Sequence, residues 1–168
     1  VGGERFGRYS FIGLPARTAI RAFIGEPGQH RIEVLTDGAV VRQERGDPLA
    51  AVERFAGQFK VAQRPGLPRF AGGLAGYFGY DVVRVIEKKL AHPKPDDLGV
   101  PDILLLLSEE VAVIDNLAGR IYLIVHADPR KPEAYARARQ RLRELKAKLA
   151  RPIEPPHSRA SVRREEYR

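Results

Sequence analysis

Asp37-Gly38 stands between His-Arg-Ile-Glu-Val-Leu-Thr and Ala-Val-Val-Arg-Gln. This dipeptide supplies the positive φ angles of a two-residue type I′ hairpin turn, so the flanking residues read as paired antiparallel strands. The first third of the chain repeats the signature. Residues 9–14, 18–24, 30–36 and 39–43 are short runs rich in β-branched or aromatic side chains, broken by Pro15-Ala16-Arg17 and by residues 25–28. Asp47 then caps a helix with Pro48 at its first position. Leu49, Val52, Phe55, Ala56 and Phe59 recur there at three- and four-residue spacing, an apolar stripe for packing on the sheet.

A Pro/Gly-rich link over residues 64–69 leads into Phe70-Ala-Gly-Gly-Leu-Ala-Gly-Tyr-Phe-Gly-Tyr-Asp81. Its glycines at 72, 73, 76 and 79 let the segment pass close to another backbone or a ligand. Residues 82–90 read as a short helix with a basic end, and residues 91–101 as a loop. Residues 103–107 and 110–115 are strand-like, Asn116-Leu-Ala-Gly119 turns the chain, and residues 120–126 return as a second hairpin whose continuous apolar character predicts burial. Asp128 is the predicted start of a final helix with Tyr135, Ala138, Leu142, Leu145 and Leu149 as its buried stripe, and Pro152, Pro155 and Pro156 read as a linker. The fold class this predicts is α+β, mainly antiparallel β-sheet with packed helices.

At 168 residues, with 43% hydrophobic and 30% charged, the chain is close to one ordinary domain. It has no cysteine, which excludes disulfides, thiolate metal sites and a cysteine nucleophile and fits a cytoplasmic setting. The apolar run over residues 103–107 falls far short of the roughly 20 residues that a membrane helix needs. The chain lacks methionine and opens on Val-Gly-Gly, which predicts an interior cut rather than a natural start or a signal peptide. Ser161 begins a helix-like pattern that stops within about two turns, which predicts a second cut.

The net charge of +8 is concentrated: residues 131–150 hold +5 and residues 151–168 hold +2. A nucleic-acid reading must therefore rest on one helix and a tail. Arg137, Arg139, Arg141 and Arg143 spread around that helix rather than forming a stripe, so a solvated helix surface is favoured over a small basic nucleic-acid-binding module.

Reaction chemistry is not visible. The glycines match neither G-x-G-x-x-G nor the phosphate loop that ends in Lys-Ser/Thr. His30, His92, His126 and His157 are scattered, with no metal-ligand spacing. Glu109-Glu110 would point to opposite faces of a strand, and Asp96-Asp97 suits solvation or a cap. Ser10, Ser108, Ser158 and Ser161 lack a nucleophile-elbow context. No catalytic residue and no metal ligand is assigned.

Glu4-Arg-Phe-Gly-Arg-Tyr-Ser-Phe-Ile-Gly13, the segment from Phe70 to Glu87, and Lys94-Pro-Asp-Asp-Leu-Gly-Val-Pro-Asp102 together resemble the N-terminal domain of anthranilate synthase component I, the large subunit. Arg-Tyr-Ser-Phe-Ile-Gly and Val-Arg-Val-Ile-Glu resemble this tryptophan-biosynthesis enzyme more than its relative, aminodeoxychorismate synthase component I. The resemblance implies a parent lyase that converts chorismate with Mg²⁺ and ammonia to anthranilate and pyruvate. The ammonia would come from glutamine through an amidotransferase partner, component II. Residues 1–150 would be the regulatory and scaffold domain, and residues 151–168 the linker and start of the chorismate-binding catalytic domain. This stretch alone would be inactive and without cofactor, and prone to self-association where the catalytic domain would dock. The family's feedback inhibitor, tryptophan, would touch Arg8, Tyr9 and Ser10. Strand alternation places Arg8 and Ser10 on one side with Tyr9 and Phe11 on the other. The competing reading is that Tyr9 and Phe11 are core and Arg8 surface.

Overall fold

The computed structural model describes residues 7–62, 64–91, 96 and 98–152. The expected linker and helix start over 153–168, together with His92, Asp97 and His157, lie outside the described residues. In chain order the elements are β1 (Tyr9–Gly13), β2 (Thr18–Phe23), β3 (Arg31–Thr36), β4 (Ala39–Arg45), α1 (Pro48–Ala56), β5 (Gly73–Phe78), α2 (Val83–Ile86), β6 (Ile103–Ser108), β7 (Glu110–Asp115), β8 (Arg120–Val125) and α3 (Ala134–Leu149). All the strand pairs are antiparallel, in a five-stranded sheet of order β4-β3-β2-β6-β5 and a three-stranded sheet of order β1-β7-β8.

The two sheets have no strand in common but are joined through consecutive strands. β2 follows β1 after a break at Pro15, β7 follows β6 after Glu109, and β1 pairs with β7 while β2 pairs with β6. The result is one long antiparallel ribbon creased in the middle. Leu14 N–H still donates to the Glu110 carbonyl at 3.2 Å beside the crease. On its far side the ring Nε2 of His126 lies 2.7 Å from the Ala71 carbonyl, tying the end of β8 to the approach to β5.

The core lies on one face of the five-stranded sheet, where alternation brings Ile20, Ala22, Ile32, Val34, Ile103 and Leu105 together. α1 covers them with Ala51 and Phe55. Asp47 starts that helix as its residue type predicts, its Oδ1 accepting from the N–H groups of Leu49 (2.8 Å) and Ala50 (3.2 Å). Leu49 and Val52 pack at the margin, while Phe59 falls beyond the helix and sets its ring edge-on to Phe55 at 5.3 Å.

The predicted glycine approach is present in β5. A Cβ on Gly76 would strike the Leu104 carbonyl oxygen of β6, and one on Gly79 would lie 3.1 Å from the Asp102 carbonyl. At Gly72, where φ is +132°, a Cβ would collide with the His126 ring.

Two sequence expectations need correction. The last helix starts at Ala134, not at Asp128. Pro132 excludes Lys131 from helical geometry, and Asp128 instead closes a tight turn, accepting from Arg130 N–H at 3.1 Å and pairing with its guanidinium. Its buried stripe is also narrower: Leu145 is buried and Ala138 and Leu142 half-buried, but Tyr135 and Leu149 are exposed. The second correction is β8, which is apolar yet only half-buried, with Ile121 exposed. It is an edge strand that α3 covers incompletely.

Candidate functional site

β1 is an edge strand, and Arg8 just before it and Ser10 within it both meet the end of β7 and the turn that follows. Arg8 donates through Nε to Asp115 Oδ1 (3.1 Å) and through Nη2 to Oδ2 (2.9 Å). Asp115 is buried, and its Oδ1 also accepts from the N–H groups of Leu117 and Ala118 at 3.1 Å each, so one carboxylate fixes both the strand and the turn. The hydrogen bonds from Arg8 hold the Asp115 carboxyl below the usual carboxylate range against the opposing effect of burial, and in return raise Arg8.

The Arg8 guanidinium also lies 4.9 Å from the centroid of the Tyr9 ring. Tyr9 and Phe11 share a face, their rings 6.1 Å apart, and Phe70 meets Phe11 edge-on at 5.7 Å. Ser10 belongs to the opposite face, opposite Ile114 in register, and its Oγ accepts from Asn116 Nδ2 at 3.2 Å. The alternation expected for Tyr9, Ser10 and Phe11 therefore appears in the structure, but Arg8 departs from it. Residue 8 is a bend before the strand begins, and its side chain sits with Tyr9 rather than with Ser10.

The site can present an aromatic wall, half-exposed at Tyr9 and open at Phe11, beside a cation whose Nε and Nη2 are already committed to Asp115. The sequence reading missed Asp115. The signal that would have found it is its place as the last residue before the Asn116-to-Gly119 turn, where an aspartate accepts from the backbone ahead of it.

Several other charged groups are likewise occupied by structure. Arg141 of α3 grips Glu110 through three hydrogen bonds of 2.9 to 3.0 Å, which docks α3 on the three-stranded sheet. Glu33, buried on the second face of the five-stranded sheet, takes Arg21 at 2.7 Å and Arg31 at 2.9 Å. Both guanidinium groups lie near the Phe23 ring. Asp96 Oδ1 accepts from the N–H groups of Leu98 and Gly99, closing a loop turn where the sequence suggested solvation or a cap. Among the described residues no group of three or more His, Asp or Glu is placed to hold a metal ion, and no helix is long and apolar enough to cross a membrane.

No family model matches the chain. Its fold does have a solved counterpart, the crystal structure of anthranilate synthase component I from Streptococcus pneumoniae. The TM-score is 0.58 at 25% identity, over 93% of this chain and 32% of that one. The class is thus an antiparallel two-sheet α+β unit of the kind found within that large biosynthetic subunit. Curated relatives make the assignment sharper. Anthranilate synthase component 1 of Pseudomonas aeruginosa is 49% identical over 99% of this chain and 36% of its own length. That of Neisseria meningitidis is 51% identical over 89% of this chain and 30% of its own length. At this identity over nearly its whole length, the chain is homologous to a segment of anthranilate synthase component 1, and it spans about a third of the relatives it matches.

Proposed function

We propose that this chain is the regulatory and scaffold part of an anthranilate synthase large subunit. Residues 1–150 form that domain, and residues 151–168 lead into a catalytic domain. The observation that carries the reading is the 49% identity across 99% of the chain. The shared name of the relatives favours this enzyme over the aminodeoxychorismate relative. The parent would be a cytoplasmic lyase converting chorismate and ammonia to anthranilate and pyruvate, with ammonia delivered by an amidotransferase, component II. Mg²⁺ would belong to the parent's catalytic part. No step of the reaction is assigned to these residues.

The regulatory role rests on β1. Tryptophan needs an apolar slot for its indole and polar partners for its charged ends. Tyr9 supplies a half-exposed ring beside Arg8, while Ser10 offers an exposed hydroxyl on the opposite face of β1, outside the slot that Tyr9 walls. Arg8 contributes by holding the Tyr9 ring and by the guanidinium edge turned away from Asp115. Inhibition is then a coupling free energy between this strand and the reaction centre, which requires two arrangements of the parent protein that differ in tryptophan affinity.

The chain contains no tryptophan, so the added amino acid can be excited at the red edge of its band, beyond the absorption of the chain's tyrosines, and read without protein signal. Polarisation of that fluorescence should rise on titration with the chain and fall back in a Tyr9→Ala variant. A flat titration with the parent-length protein would remove tryptophan sensing from the account.

A further inference from the structure

We propose that the free edge of β5 is a self-pairing edge, through which two copies of the chain join antiparallel about Ala75 and continue the five-stranded sheet across a twofold axis. β5 ends the sheet order and, among the described residues, has only β6 beside it. Its outer row of backbone donors and acceptors is a template for another strand. The opposite edge is guarded: β4 carries Arg42, Glu44 and Arg45, and its pairing with β3 shifts register between Val34 and Leu35. β5 has neither defence. No charged residue occurs from Phe70 to Tyr80, Phe78 is 52% exposed, and Tyr80 just beyond is 91% exposed.

The occupant follows from how this strand matches itself. An antiparallel pair centred on Ala75 sets Gly73 opposite Tyr77 of the second copy and Leu74 opposite its Gly76. Each large side chain then faces a residue without one, and the tyrosine ring covers a glycine as aromatic cross-strand neighbours do at sheet edges. The charges that bound the neutral stretch complement one another too. Arg69 precedes it and Asp81 follows it, so reversal of one strand against the other brings opposite charges toward each other at both ends. One strand pair buries less than the roughly 1,200 Å² of a stable interface, so the association depends on concentration.

The chain's lack of cysteine makes the test direct. Residues directly opposite in an antiparallel pair have Cα atoms about 4.5–5.5 Å apart, within disulfide range. Ala75→Cys should therefore form a covalent dimer under mild oxidation, at least about tenfold faster than Arg42→Cys on the guarded edge. Sedimentation of the unmodified chain should move from one chain mass toward two as concentration rises. Tyr77→Lys should hold it at one, with its circular dichroism melt showing that it folds. A chain that stays monomeric at about 300 µM would overturn the proposal and leave this edge to another segment of a longer polypeptide. Association in which Ala75→Cys crosslinks no faster than Arg42→Cys, or which Tyr77→Lys leaves intact, would overturn it as well. The enzymatic assignment is untouched by either result.

Discussion

Arg8 and Asp115 are 107 residues apart in sequence, yet two hydrogen bonds of 3.1 and 2.9 Å join them where β1 meets the turn after β7. Removing one member of such a pair leaves the other without its counter-charge, which costs more than the pair itself contributes. Arg8→Ala should lower the melting temperature by several degrees. Asp115→Asn, which keeps an acceptor for the turn N–H groups, should lower it less. Thermal melts followed by circular dichroism check the order of the two.

Acid should weaken the fold in a defined window. Hydrogen bonds from Arg8 lower the Asp115 pKa, and those from Arg17 lower that of Asp37. Asp128 is lowered to about 2, first by the Arg130 side chain and then by its backbone N–H. A carboxylate with a folded pKa below its unfolded value of about 3.9 contributes its full stability above that value and loses it as the pH falls through the folded pKa. Stability should therefore not vary on account of these groups from about pH 5 to 8, and should decline between about pH 4 and 2. Denaturant midpoints measured across that range should show the decline, with a shallower slope in Asp115→Asn.

Gly76→Ala should be among the most damaging single substitutions in the chain. The added Cβ would meet the Leu104 carbonyl oxygen, a backbone atom of the paired strand that has no rotamer to escape into. A cost of about 3 kcal/mol, the upper part of the overpacking range, is expected. Urea unfolding measures it.

Asp47→Ala tests the helix that covers the core. Two N–H groups of α1 lose their acceptor, which should cost about 1 kcal/mol and lower the melting temperature by about 3 °C. Asp47→Ser should recover most of the loss.

The elements with strong local chemistry were legible in the sequence. Asp37-Gly38 marked the β3–β4 turn, and in the structure both residues have positive φ, 50° and 83°. Asp47-Pro48 marked the start of α1, and the glycines of β5 marked a close backbone approach. What was not legible depends on contacts between distant residues. That Ser108 and Glu110 belong to different sheets is set by which strands lie alongside them, not by local propensity. The apolar run of β8 could not reveal that α3 covers it only in part. The same limit applies to the site: Arg8, Tyr9 and Ser10 stood out by resemblance, while the carboxylate that holds Arg8 sits directly across the ladder from Tyr9, 107 residues from Arg8 in sequence. The basic helix illustrates the converse. Its charge read as a solvated surface, yet Arg141 is turned inward to Glu110.

The central claim is that these residues scaffold and regulate a reaction carried out elsewhere in a larger subunit. Its most direct test is to incubate the purified 168-residue chain with chorismate, Mg²⁺ and ammonium and to follow anthranilate fluorescence. The account predicts no anthranilate above the chain-free control. Anthranilate formed in proportion to the amount of chain would contradict it.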